Sequence, residues 1–373
     1  MEGRLDPTLT LRPGRNSERG RRNPRGPRGW DGEREELLQR LLYRTKSATD
    51  QVLHLLFAKR GVCALGRYAF GNSAFREWRT ALRCLTSVLL RSIPSRQVFV
   101  DEGYAKQTIS LMKDGAPDDE LYTASILLHC STGTNLDLGP NFEHDDLAGI
   151  INRNVARHGE AASQPSSSLA MSGTATLALL STLSLHYETQ AYRFLDSLAS
   201  ILDVLDKAPI NTPPLQSPIT SLVACLASIP IQASQSFPES AVDKLTDILD
   251  SSITAYGAGG GRELMSLFIA LLRLAQSEST GAQTRLRARL LRSGQDKAAS
   301  SSQEESLPHK LIHLATQSPA PEVRGIAMVM LFELSNKDES EFERNVGSDN
   351  AVRFLASTHV QPPQNDLTEE KKA

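Results

Sequence analysis

The stretch Ala241-Val242-Asp243-Lys244-Leu245-Thr246-Asp247-Ile248-Leu249-Asp250-Ser251-Ser252-Ile253-Thr254-Ala255-Tyr256 sets the period of this sequence. Val242, Leu245, Leu249, Ile253 and Tyr256 recur at steps of three and four, which places them on one stripe of an α-helix. Two other stretches read the same way. Ser217-Pro218 marks a helix start, with a capping serine and a proline at the first helical position. Its apolar face is Ile219, Leu222, Val223, Leu226 and Ile229, and Pro230 stops it. Pro321 opens a third helix with Val323, Ile326, Met330, Leu331 and Leu334. No alternation of apolar and polar residues is long enough to read as a strand.

The most apolar helices begin near Thr80, Glu120, Ser172, Pro218, Arg262 and Pro321. Units of about 40–47 residues are the spacing of armadillo and HEAT repeats, in which two or three helices make one layer. The wider intervals hold low-complexity loops, His158 to Ser172 and Ser293 to Ser306. A solenoid tolerates such insertions because each layer touches only its neighbours. The expected fold is therefore all-α, an armadillo/HEAT-like right-handed superhelix over residues 33–360. A disordered Arg/Gly/Pro-rich arm is expected over 1–32 and a disordered tail over 361–373.

The 373 residues are 40% hydrophobic and 5% aromatic, which suits helices more than a β-sandwich. The formal net charge of −2 joins two unlike parts. Arg4, Arg12, Arg15, Arg19, Arg21, Arg22, Arg25 and Arg28 face only Glu2, Asp6 and Glu18 in the first thirty residues. The rest of the chain is correspondingly acidic, and the overall basicity of a nucleic-acid binder is missing. Cys63, Cys84, Cys130 and Cys225 are far apart, with no zinc spacing, and read as reduced thiols. The longest apolar run, Leu264 to Ala275, is too short to span a bilayer and contains Arg273. With no N-terminal apolar segment, the expectation is a soluble, cytoplasmic protein.

Catalytic patterns are not found. Gly257-Ala258-Gly259-Gly260-Gly261 follows a helix and lacks the lysine of a phosphate loop, so it reads as an inter-helix loop. Gly71-Asn72-Ser73-Ala74-Phe75 fails the nucleophile elbow at its last position. Glu143, His144, Asp145 and Asp146 read as acidic residues at a helix start rather than a metal site. Ser301 and Ser302 each have Glu at i+3, an acidophilic-kinase pattern. No cofactor is implied. What remains is a chain built to bind, through the groove that a solenoid offers.

Several blocks carry a family resemblance. Ala81-Leu82-Arg83-Cys84-Leu85 leads to Arg96-Gln97-Val98-Phe99-Val100-Asp101-Glu102-Gly103-Tyr104. Gly133-Thr134-Asn135-Leu136-Asp137-Leu138, the run Leu147 to His158, and Phe237-Pro238 with Val242 to Asp250 follow in order. The most specific block joins Leu307-Pro308, Ser318-Pro319, Leu331-Phe332-Glu333-Leu334-Ser335-Asn336-Lys337-Asp338, Arg344-Asn345-Val346-Gly347 and Phe354-Leu355-Ala356-Ser357. Together they resemble the synembryn family, particularly its fungal members.

The resemblance implies a guanine-nucleotide exchange factor and folding chaperone for the α subunit of heterotrimeric G proteins. Such a protein grips the Gα C-terminal helix in a concave groove and stabilises the nucleotide-free state. It needs no catalytic side chain. A monomer is expected, with recruitment to the plasma membrane through Gα. Where the family commonly places groove asparagines, this chain has Ser87, Thr182 and Ser228. Arg83, Lys310 and Arg324 are candidate partners for a carboxylate terminus. The alternative is an armadillo-type scaffold that binds a helix or peptide without exchange activity.

Overall fold

The computed structural model describes residues 29–46, 53–71, 77–161, 167–231, 237–277, 279–292 and 306–358. The arginine-rich segment before Gly29, Asn72 to Phe75, Ser301 with Ser302, and residues 361–373 lie outside the described residues. Among those described, every regular element is helical. In chain order they are α1 (Gly29–Lys46), α2 (Leu53–Phe57), α3 (Lys59–Phe70), α4 (Trp78–Arg91), α5 (Ile93–Asp101), α6 (Tyr104–Asp114) and α7 (Pro117–Ser131). Then come α8 (Gly139–His144), α9 (Leu147–Ala161), α10 (Ser167–His186), a 3₁₀ segment (Glu188–Ser197), α11 (Leu198–Lys207) and α12 (Ile219–Ser228). The chain continues with α13 (Glu239–Tyr256), α14 (Gly261–Gln276), α15 (Thr280–Leu290), α16 (Leu307–Gln317), α17 (Pro321–Leu334), α18 (Glu339–Val346) and α19 (Ser348–Thr358).

The helices stack in two rows. One row runs α1, α4, α7, α10, α12, α14, α17, each packed on the next. The other runs α6, α9, α11, α13, α15 and covers the first from behind, with α16 joining it beside α13. This is an all-α solenoid. The first row is the more tightly stacked. Its members between α1 and α17 have neighbours of the same row on both sides, and it is called the inner row here, the second the outer row. Its members from α4 onward are the six apolar helices whose starts were read from the sequence.

Local chemistry explains the boundaries. Ser92 caps α5 by accepting from Ser95 N at 3.2 Å. Asp338 caps α18 by accepting from Glu341 N at 2.6 Å. Pro117 and Pro321 sit in first turns, where their missing N–H costs nothing. The start of α12 corrects the sequence reading. Its first helical residue is Ile219, and Pro218 rather than Ser217 occupies the cap position, its carbonyl accepting from Leu222 N at 3.1 Å. The Ser217 hydroxyl is instead 3.1 Å from Thr174 Oγ1 on α10. At the other end of the chain, α1 begins four residues earlier than the expected arm boundary.

Two buried apolar clusters meet at α7. Ile126 and Cys130 pack with α1, α3, α4 and α5, while Ala124 and Leu127 pack with everything that follows. α6 is divided in the same way, Tyr104 and Ala105 on one side and Ile109 and Met112 on the other, so the stack is continuous. On the outer row, Asp243, Asp247 and Asp250 lie along α13 and pair with Arg285, Arg289 and Lys310. The hydrogen bonds from Arg285 hold the Asp243 carboxyl below its ordinary range. Glu143 pairs with Arg193, and Asp145 and Asp146 precede α9, so the acidic cluster ends a short helix and begins the next. Among the described residues no group of His, Cys, Asp and Glu side chains could hold a metal. None of their helices is long and apolar enough to cross a membrane.

Inter-row packing predicts a contrast within α10. Leu180 is fully buried, whereas Leu185 is 62% exposed. Leu180→Ala should cost about 3 kcal/mol, and Leu185→Ala should stay within about 0.5 kcal/mol, both read from urea denaturation.

Candidate functional site

The site is built on the free face of the inner row. On α4 that face carries Arg83, Thr86, Ser87 and Leu90, and on α7 it carries Tyr122, Ser125 and His129. On α10 it carries Met171, Ala178, Thr182 and Leu185. Ser221 and Ala224 continue it on α12, Ser266 and Ile269 on α14, and Ile326 and Val329 on α17. These positions repeat at three or four residues, so each helix presents one solvent-facing stripe beside its buried one. The surface is made of hydroxyls, small side chains and scattered apolar groups. Leu90, Met171 and Leu185 are more than half exposed.

The hydroxyls of α4 and α7 turn back on their own helices. Thr86 donates to Leu82 O at 2.9 Å, Ser87 to Arg83 O at 3.0 Å, and Ser125 to Leu121 O at 2.6 Å. Each is satisfied without a partner, and each leaves lone pairs free to accept. Arg83 places its guanidinium carbon 5.9 Å from the Tyr122 ring, held by the neighbouring helix. His129 is half-buried, and burial with the nearby Arg96 charge holds its imidazole below the usual value.

Of the six residues named from the sequence, the structure puts five on the inner row. Arg83 and Ser87 are on α4, Thr182 on α10, Ser228 on α12 and Arg324 on α17. Ser87 and Thr182 are half-buried on the free face, and the Thr182 carbonyl lies 2.8 Å from His186 Nδ1. Ser228 is only 5% exposed and donates to Cys225 O. Arg324 donates to the Ser318 carbonyl. Lys310 does not join them. It lies on α16, where Asp250 at 2.8 Å and Thr254 at 3.0 Å hold its ammonium against α13.

The side chains that fix the groove were not anticipated. Every step of the inner row has a polar clamp. Thr80 donates to Glu35 across α4 and α1 at 3.0 Å, and Arg79 grips Asp119 across α4 and α7 with two hydrogen bonds of 2.8 and 3.2 Å. Glu120 on α7 accepts from Thr176 on α10 and from Arg157 on α9, and lies 2.9 Å from His158 Nε2. Cys225 Sγ is 3.2 Å from Leu177 O, joining α12 to α10. Arg273 of α14 reaches the Ile229 carbonyl after α12 at 2.8 Å, and Gln276 reaches Glu333 on α17 at 3.2 Å. Thr80 and Glu120 had drawn notice in the sequence only as helix starts, and none of these residues as a clamp. The partners of Glu120 come from helices some forty to sixty residues away in the chain, and no local pattern links them.

Glu120 is the most constrained of these groups. Burial alone pushes its carboxyl up, but the hydrogen bonds from His158 and Thr176, with the charge of Arg157, outweigh burial and hold it below the ordinary value.

A family model described as guanine nucleotide exchange factor synembryn matches residues 39–373. No curated protein matches the chain.

Because the Glu120 carboxyl is depressed in the folded state, its contribution is complete above the unfolded value and is lost as pH falls through the folded one. Stability should therefore drop on acidification below about pH 4.3. Glu120→Gln should cost about 2 kcal/mol at pH 7 and remove part of that acid sensitivity, measured by denaturant midpoints against pH.

Proposed function

The chain belongs to the synembryn family of guanine nucleotide exchange factors, and on that premise we propose that it acts on the α subunit of a heterotrimeric G protein by gripping that subunit's C-terminal helix along the inner row. The observation that carries this reading is the continuous free face of α4, α7, α10, α12, α14 and α17. It is lined by self-satisfied hydroxyls and exposed leucines, as a groove for an amphipathic helix requires. The partner's apolar side chains meet Leu90, Met171 and Leu185, and its polar groups meet Ser87 and Thr182. Arg83, pre-positioned over Tyr122, is the group for the helix's terminal carboxylate. Lys310 has no part in this role because α16 stands in the outer row, away from this face.

Exchange then follows from differential binding. A groove that holds the C-terminal helix away from the GTPase core binds the open, empty subunit more tightly than the closed, GDP-bound one. That preference shifts the population toward the open state and releases GDP. The same preference gives a chaperone, since a newly made subunit without nucleotide presents the same helix. No acid, base or nucleophile is needed, because the energy comes from binding alone.

The test is GDP release from a purified Gα subunit. The full chain should accelerate release and form a stable complex with the empty subunit, and removing the last residues of Gα should abolish both. Arg83→Ala should weaken the complex roughly tenfold. Unchanged release at saturating protein, with no complex, would overturn the reading. A complex that leaves release unchanged would favour the scaffold.

A further inference from the structure

Between α9, α10, α11 and α12 lies a half-open pocket of about 190 Å³, behind the inner row and apart from its free face. Its walls are apolar. Ala161, Leu177, Val204 and Pro218 present its surface, over the buried Val155, Ile201 and Leu222. Three polar side chains reach it. Thr174 is matched with Ser217, and His158 turns its Nε2 away toward Glu120. Lys207 stands at the rim, its side chain 44% exposed, with its ammonium 2.7 Å from Asp203.

Among the described residues neither Asp203 nor Glu120 lines the pocket, and no other carboxylate does. The lining is therefore apolar with a single cationic rim. Phosphate recognition calls for an arginine fork or a nest of backbone N–H groups, and the lining has neither. One ammonium above a hydrocarbon wall suits a monoanion. The exposed Lys207–Asp203 pair is weak enough to exchange its carboxylate for that of a ligand. The size sets the other limit. An apolar cavity of about 150 Å³ takes up benzene, so this one holds a body of about six to eight carbons.

We propose that this pocket binds a short-chain carboxylic acid, its hydrocarbon body against Ala161, Leu177, Val204 and Pro218 and its carboxylate on Lys207. The occupant touches four helices drawn from successive repeats, so it stabilises their relative placement by mass action. The proposal stands on the cavity alone and does not depend on the Gα reading.

The test is calorimetric titration of the full chain with straight-chain carboxylates from butanoate to dodecanoate, and with 1-octanol. Affinity should rise about fourfold per methylene and level off near octanoate, where the cavity is full. Lys207→Ala should weaken octanoate about fivefold and leave 1-octanol unchanged. Val204→Trp, which fills the space, should abolish both. Should that variant fail to fold, methyl NMR of the unaltered chain replaces it, with octanoate shifting Ala161, Leu177 and Val204 ahead of other methyls. Four results would overturn the proposal. They are no saturable binding at millimolar octanoate, an affinity that climbs without limit to dodecanoate, equal effects of Lys207→Ala on acid and alcohol, and shifts spread away from these methyls.

Discussion

Glu120 is a carboxylate with almost no water around it, and the stack is arranged to make that tolerable. Its side chain is 2% exposed. An ionised carboxyl in that position is unfavourable unless charge and hydrogen bonds replace its hydration. Arg157, His158 and Thr176 do so, and they come from α9 and α10. Next to it, Asp119 is equally buried and is held by Arg79 from α4. One turn of α7 therefore fixes three neighbouring helices. It can do this because α7 is also where the two apolar clusters meet. If α10 shifted along its axis, Thr176 would leave Glu120, and the loss of a hydrogen bond to a buried carboxylate opposes that motion.

The same logic runs along the whole inner row with weaker groups. Apolar packing brings the helices together but specifies register poorly, since leucine on leucine tolerates sliding. Polar clamps at each step remove that freedom. Arg273 reaching the Ile229 carbonyl satisfies an acceptor at a helix end while pinning α14 to α12. The outer row uses exposed ion pairs for its version of this task, and those are individually weak. Rigidity is therefore concentrated on the row that bears the candidate groove. A groove can favour one conformation of a partner only if it does not simply adapt to both.

The surface chemistry of the groove is correspondingly mild. Serine and threonine on helices bond to the carbonyl one turn back, so they present a small polar surface without a desolvation demand. Leu90 and Leu185 stand exposed between them. Arg83 is the exception, a charge pre-positioned on an aromatic face.

Helix positions and repeat spacing could be read from the sequence because both are local and periodic. The stripe Val242, Leu245, Leu249, Ile253 of α13 is buried as its period requires. The starts read at Thr80, Glu120, Ser172, Pro218, Arg262 and Pro321 fall on successive members of one row, because the most apolar helix of each repeat is the one packed by neighbours on both sides. The family blocks depend on the same local order. What the sequence could not decide was where each polar side chain would point. Ser217 looked like a cap and serves Thr174 across a helix contact. Lys310 looked like a free cation and is held by Asp250 and Thr254 on the outer row. Ser228 looked like groove lining and is buried. Glu120, Arg157, His158 and Thr176 are scattered over three helices, and only stacking brings them within hydrogen-bond reach. Period is a property of neighbours along the chain. The pairing of charges, the cavity behind the inner row and the face left open for a partner are properties of helices brought together, which the tertiary structure alone decides.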